Sequence, residues 1–181
     1  CGGLQDNGSW CAPSATQSNQ GIRNRDWYNV GGGDGFYNVI DPNDPTIMFA
    51  ESQGGSISRV DLRSMEKQRI RALPRPGEDG ESRSYRFNWN APIVISAHNP
   101  STIYHASNHL LKSTDRGTTW QEISPDLTRD SDTTQGPGGG PITNEGAGGE
   151  IYNTIYYVAE SSHDPNTIWT GSDDGLVHVT Q

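Results

Sequence analysis

The chain has 181 residues and a net charge of −9; only 30% of it is hydrophobic, 22 glycines and 11 prolines punctuate it, and its mean hydropathy is −0.77. That balance excludes one thick apolar core and suits many short strands joined by turns, each thin sheet sharing its buried faces with neighbours. The acidity, without any basic run, speaks against nucleic acid as a partner, and no apolar stretch approaches the ~20 residues that cross a bilayer, so membrane insertion is not expected either.

In chain order, the first expected element is a hairpin around Gln5-Asp6-Asn7-Gly8, flanked by Cys1 and Cys11. A Cys1–Cys11 disulfide is possible in an exported protein, but a two-residue Asn7-Gly8 turn would set Leu4 opposite Cys11. A local bridge then needs a bulge or a longer loop; free thiols or partners elsewhere are the alternatives. An outer strand at Trp27-Tyr28-Asn29-Val30 follows.

Three segments, 36–52, 91–107 and 155–172, then align with one another. Each reads as strand, proline-bearing turn at Pro45, Pro100 or Pro165, and strand, with Thr46, Thr102 and Thr167 taken as equivalent. Tight turns at Gln53-Gly54-Gly55-Ser56, Asn108-His109 and Asp173-Asp174-Gly175 lead to third strands, and Trp120-Gln121-Glu122-Ile123 reads as another outer strand. A short helix fits 62–69, and polar inserts occupy 74–84 and 126–149.

The repeat predicts an all-β fold, a partial β-propeller of four-stranded antiparallel blades, because a blade cannot bury both faces alone and must recur around a ring. The expected units are the tail of one blade (1–33), a complete blade (34–87), a second complete blade with the long Gly-rich loop 126–149 (88–149), and the first strands of a further one (150–181). Beginning on Cys1 in mid-pattern and ending just after a strand, the chain reads as a fragment of a larger propeller, and its N-terminus lacks the plan of a signal peptide.

At Ser113-Thr114-Asp115-Arg116-Gly117-Thr118-Thr119-Trp120 the chain fits the Asp-box pattern Ser-x-Asp-x-Gly-x-Thr-Trp at every fixed position. A structural role is expected: Asp115 accepts backbone N–H groups across the turn, Gly117 supplies a positive φ, and Trp120 opens the outer strand by packing over the hairpin. With these residues, and with the phrases 2–10, 87–93 and 169–177, the chain resembles the Asp-box (BNR) repeat β-propellers. Among them it looks most like the sortilin-like, exported bacterial proteins labelled glycosyl hydrolases. The resemblance implies a propeller in an extracytoplasmic setting (secreted, periplasmic or cell-surface) and no proven reaction. The chain departs from the family in having one full box, with Asp61-Leu62-Arg63 standing where the preceding blade would carry another, and in lacking the arginine phrases of sialidases.

Glycoside hydrolysis needs two carboxyls about 5–9.5 Å apart. Asp34, Trp89, Asn90 and Glu150 precede or open the innermost strands and are the candidate channel-mouth residues, since sugar sites commonly join a tryptophan with carboxylates. A turn role suffices for Asp34 within 31–35, and packing between blades for Trp89. His98, His105, His109, His163 and His178 show no ligand spacing, so no metal is expected, and His98 and His163 are expected on the surface, well apart. The acidic phrases 41–44, 130–132 and 173–175 could hold calcium weakly, but they match no twelve-residue calcium loop, and no other cofactor is expected. The expected function is a module that binds or scaffolds protein, peptide or glycan, together with the remainder of its own propeller. Part of a glycoside hydrolase acting on polysaccharide, or a structural subunit of an extracellular assembly, are the alternatives.

Overall fold

A computed structural model describes residues 1–73, 84–135 and 151–180. They form four antiparallel sheets, each a meander of sequence neighbours. The first holds β1 (Gly2–Leu4), β2 (Gly8–Cys11) and β3 (Tyr28–Gly31); the second holds β4 (Gly35–Ile40), β5 (Ile47–Ser52), β6 (Ser56–Asp61) and β7 (Glu66–Arg69). The third holds β8 (Ile93–Ile95), β9 (Ile103–Ala106), β10 (Leu110–Ser113) and β11 (Gln121–Glu122); the fourth holds β12 (Ile155–Glu160), β13 (Ile168–Ser172) and β14 (Val177–Val179). The helical turns among the described residues are the 3-10 turns Asn24–Asp26 and Asp132–Thr134.

The core is divided into layers between sheets, as the sparse apolar content requires. Side chains alternate along a strand. On β5, Met48 and Ala50 therefore meet Cys11 and Val30 of the first sheet, while Ile47 and Phe49 meet Ile93 and Ile103 of the third. Covered on both faces, β5 reads as an apolar run and not as an alternation. Tyr104, Ala106 and Leu110 of the third sheet likewise pack on Ile155, Val158 and Ile168 of the fourth. Each sheet thus lies face to face on the next in chain order, and the first strands follow one another, β4 touching β8 and β8 touching β12.

The structure corrects four expectations. Residues 66–69 form strand β7, not part of a helix, because the edge of β6 offers a ladder from Ser58↔Arg69 to Asp61↔Glu66 and a helix of that length has nothing to stabilise it. The first hairpin has a three-residue loop, 5–7, closed by Asn7 N donating to Leu4 O at 3.2 Å; Gly2 pairs with Trp10 and Leu4 with Gly8. Cys1 therefore falls beside Cys11, and the two form a disulfide with a Cα–Cα distance of 4.0 Å. The residue equivalent to Thr102 and Thr167 is Ile47, one beyond Thr46: their amides donate to Asn99, Asp164 and Asp44 carbonyls respectively across the same proline turn. Finally, the proline turns that carry His98 and His163 are not apart, since His98 Nε2 lies 2.8 Å from Ser161 O.

Candidate functional site

The turns that lead into the first strands are tied to one another by polar contacts. Asp34, immediately before β4, is buried; its Oδ1 accepts Asp6 N at 2.6 Å and its own amide donates to Gln53 Oε1 at 2.7 Å. Trp89, half-buried before β8, accepts Gly54 N on its carbonyl at 3.1 Å. Asp34 and Trp89 thus meet the same turn, 53–55, but the Asp34 carboxylate is occupied in joining the first two sheets. Asn90 Oδ1 is buried without a hydrogen-bond partner among the described residues. Glu150 lies outside the described residues.

Two features of this region escaped the sequence reading. The first is Glu51, 1% exposed on β5, whose Oε1 accepts Ala91 N at 3.3 Å while Oε2 has no hydrogen-bond partner among the described residues. Burial pushes its carboxyl up to about 9, outweighing the backbone hydrogen bonds that work the other way, so Glu51 is a neutral acid at pH 7. Its signal was a carboxyl directly after the apolar run 47–50. The second is a group of tyrosines. A bulge in β12 between Ile155 and Tyr157 turns Tyr156 and Tyr157 outward, at 51% and 63% exposure, and a matching irregularity in β4 lies between Gly35 and Asn38. Tyr37, half-buried on β4 against the core between the second and third sheets, has its hydroxyl pKa raised by burial first and then by the charges of Tyr156, Tyr157 and Glu51.

The Asp box is a latch. Asp115 Oδ1 accepts Ser113 Oγ at 2.8 Å and Thr119 N at 2.8 Å, and Oδ2 accepts Thr119 Oγ1 at 2.7 Å; the Thr119 hydrogen bonds hold the carboxyl at about 2. Gly117 has φ +85°, and a Cβ there would lie 2.3 Å from Ile70 Cδ1, so both conformation and space demand glycine. Trp120 packs on its own sheet, against the cluster that holds Leu111 and 6.0 Å from the His105 ring, and reaches the neighbouring sheet as well, donating Nε1–H to Ile70 O at 2.6 Å. Arg116 reaches the same neighbour, 2.8 Å from the buried Asp41 carboxylate. Every fixed residue of the box thus serves turn geometry or clamps the third sheet to the second.

His105 is fully buried between Pro92 O (3.2 Å) and Gly55 O (3.3 Å) and stacked on Phe87. Burial lowers its pKa to about 4, so it is neutral and donates to one of the two carbonyls at a time. Among the described residues no three His, Cys, Asp or Glu side chains are placed to hold a metal ion. The acidic turns serve interfaces: Asp173 accepts Thr154 N at 3.0 Å and Asn88 Nδ2 at 3.3 Å, and Asp126 and Asp130 flank Arg86 at 2.7 and 2.9 Å. No protein-family model matches the chain, and no curated protein matches it.

Proposed function

We propose that the four sheets are consecutive blades of a sortilin-like Asp-box β-propeller and that the chain is an extracytoplasmic module binding or scaffolding a protein, peptide or glycan. The face-to-face succession of sheets supports the architecture, and so does what the fourth sheet leaves open. By register, Trp169 corresponds to Phe49 and Tyr104, and Val177 to Ile57 and Leu110. Those four equivalents are at most 2% exposed, whereas Trp169 and Val177 are 49% and 70% exposed, as expected of a blade whose next neighbour is another part of its own propeller. The disulfide fits an oxidising compartment.

The observation that carries the binding reading is the pair Tyr156 and Tyr157, amphipathic rings displayed by the first strand of the fourth sheet through its bulge, with the half-buried Tyr37 on the first strand of the second sheet. A glycosidase would need an accessible acid and a second carboxylate. Glu51 has the raised pKa of an acid but is 1% exposed, and Asp34 is bonded to Asp6. Fluorescence titration with short oligosaccharides and peptides, beside a reducing-sugar assay on the matching polysaccharides, tests the reading. Saturable binding without release of reducing ends, weakened about tenfold by Tyr156→Ala and Tyr157→Ala, is expected. Release of reducing ends by the purified chain would replace it with the hydrolase.

A further inference from the structure

On the outer edge of the second sheet, away from the tyrosine group, an open cavity of about 520 Å³ is lined by Arg69, Arg71, Leu73, Ser84, Tyr85 and Phe87. Arg69 ends β7 and Arg71 continues it, two residues on and so on the same side of the extended chain. Arg63, Arg86 and Arg116 each face a carboxylate at 2.7–2.9 Å. Arg69 and Arg71 have no such partner among the described residues, although acidic side chains outnumber basic ones in this chain, 22 to 13. Arg71 is half-buried, with its guanidinium carbon 5.1 Å from the centre of the Phe87 ring. Burial, and then the neighbouring charge of Arg69, lower its pKa. Two like charges brought together in a partly desolvated, apolar-walled cavity, with no counter-ion among the described residues, are unfavourable, and an anion between them would relieve both effects. The volume is that of a small-ligand site.

We propose that this cavity binds a monocarboxylate carried on an apolar ring, the carboxylate bridging the Arg69 and Arg71 guanidiniums and the ring lying against Leu73 and Tyr85. Arginine forks match a planar carboxylate bidentately, which makes the carboxylate the specific part of the ligand and the ring the non-specific part. The site is separate from the tyrosine surface, so it stands whether or not that surface binds glycans or peptides.

Benzoate is the probe, followed by amide chemical shifts of the whole chain, with benzyl alcohol and glucuronate as controls. Saturable shifts centred on residues 69–73 and 84–87 are expected with benzoate, weaker with glucuronate, and absent with benzyl alcohol. Arg69→Gln, an exposed position whose change leaves the fold alone, and Arg71→Gln should each weaken benzoate about tenfold or more, and added salt should weaken it further. Benzoate without saturable shifts, benzyl alcohol binding equally well, glucuronate binding more tightly, or both variants binding as the parent does would each overturn the proposal. A tenfold gain in affinity in the Glu78→Gln/Asp79→Asn/Glu81→Gln variant would overturn it in favour of the chain's own acidic stretch as the occupant.

Discussion

Replacing Glu51 by glutamine should change the pH dependence of stability more than the stability itself. In the unfolded chain this carboxyl ionises near its ordinary 4.5, whereas in the folded protein burial holds it protonated up to about 9. Between those values the folded state keeps a proton that the unfolded state has released, so unfolding becomes easier as pH rises, by about 1.4 kcal/mol per unit. From pH 4.5 to pH 7 that is about 2.5 units, or roughly 3 kcal/mol, a sizeable part of the margin of a small protein. The glutamine side chain is neutral in both states and removes this slope. Near pH 5 the Glu51→Gln variant should lie within ~1–2 kcal/mol of the parent, since its extra N–H needs a partner where Oε2 has none. By pH 8 it should be clearly the more stable. Urea unfolding followed by tryptophan fluorescence at half-unit steps from pH 5 to 8.5 measures the difference, in which contributions from the histidines cancel. Parallel curves would refute the reasoning, because Glu51 would then be ionised and solvated in the folded protein.

Three other outcomes are expected. Phe49→Ala, at a position with 0% exposure between the second and third sheets, should cost about 3–5 kcal/mol in urea unfolding, with a broadened transition if the two sheets separate. Reducing the Cys1–Cys11 bridge, which closes a separation of 10 residues, should lower stability by ~2–3 kcal/mol, read as a drop in the thermal midpoint on adding reductant that a Cys1→Ser/Cys11→Ser variant does not show. Asp115, held at about 2 against an ordinary 3.8, contributes stability that is fully present above pH 4 and fades as pH falls towards 2. In acid titration followed by circular dichroism, Asp115→Ala should therefore lose its dependence in that window while keeping the rest of the acid transition.

Elements were legible where turn chemistry and burial act locally. Asp-Pro and Asn-Pro turns mark each strand pair because Asp44, Asn99 and Asp164 all accept the amide three residues on, and the Asp box is legible because the hydrogen bonds of the Asp115 carboxylate stay between Ser113 and Thr119. Strand β7 was not, since Glu66, Lys67, Gln68 and Arg69 are all exposed and carry no apolar alternation; the edge of β6 decides their conformation. Nor was the register at Cys1. Asp6 (φ 65°) and Gly8 (φ 73°) together make a three-residue loop, and nothing local separates that sequence from a two-residue Asn-Gly turn.

The candidate site was less legible than the fold because charge is read from the sequence as a type, while chemistry depends on the partner. Asp34 and Glu51 are both carboxyls beside glycine-rich turns. One is taken up by the amide of Asp6, and the other is driven neutral because it faces a neighbouring sheet that the chain reaches only about forty residues later, at Ala91. Arginines differ in the same way: Arg116 finds Asp41 on the adjoining sheet, whereas Arg69 and Arg71 find each other. A charge left uncompensated after the sheets have stacked is visible only once the layers are in place. In a fold whose acidic turns are largely engaged in joining one sheet to the next, the charge and aromatic surface that remain unengaged are where recognition has room to act.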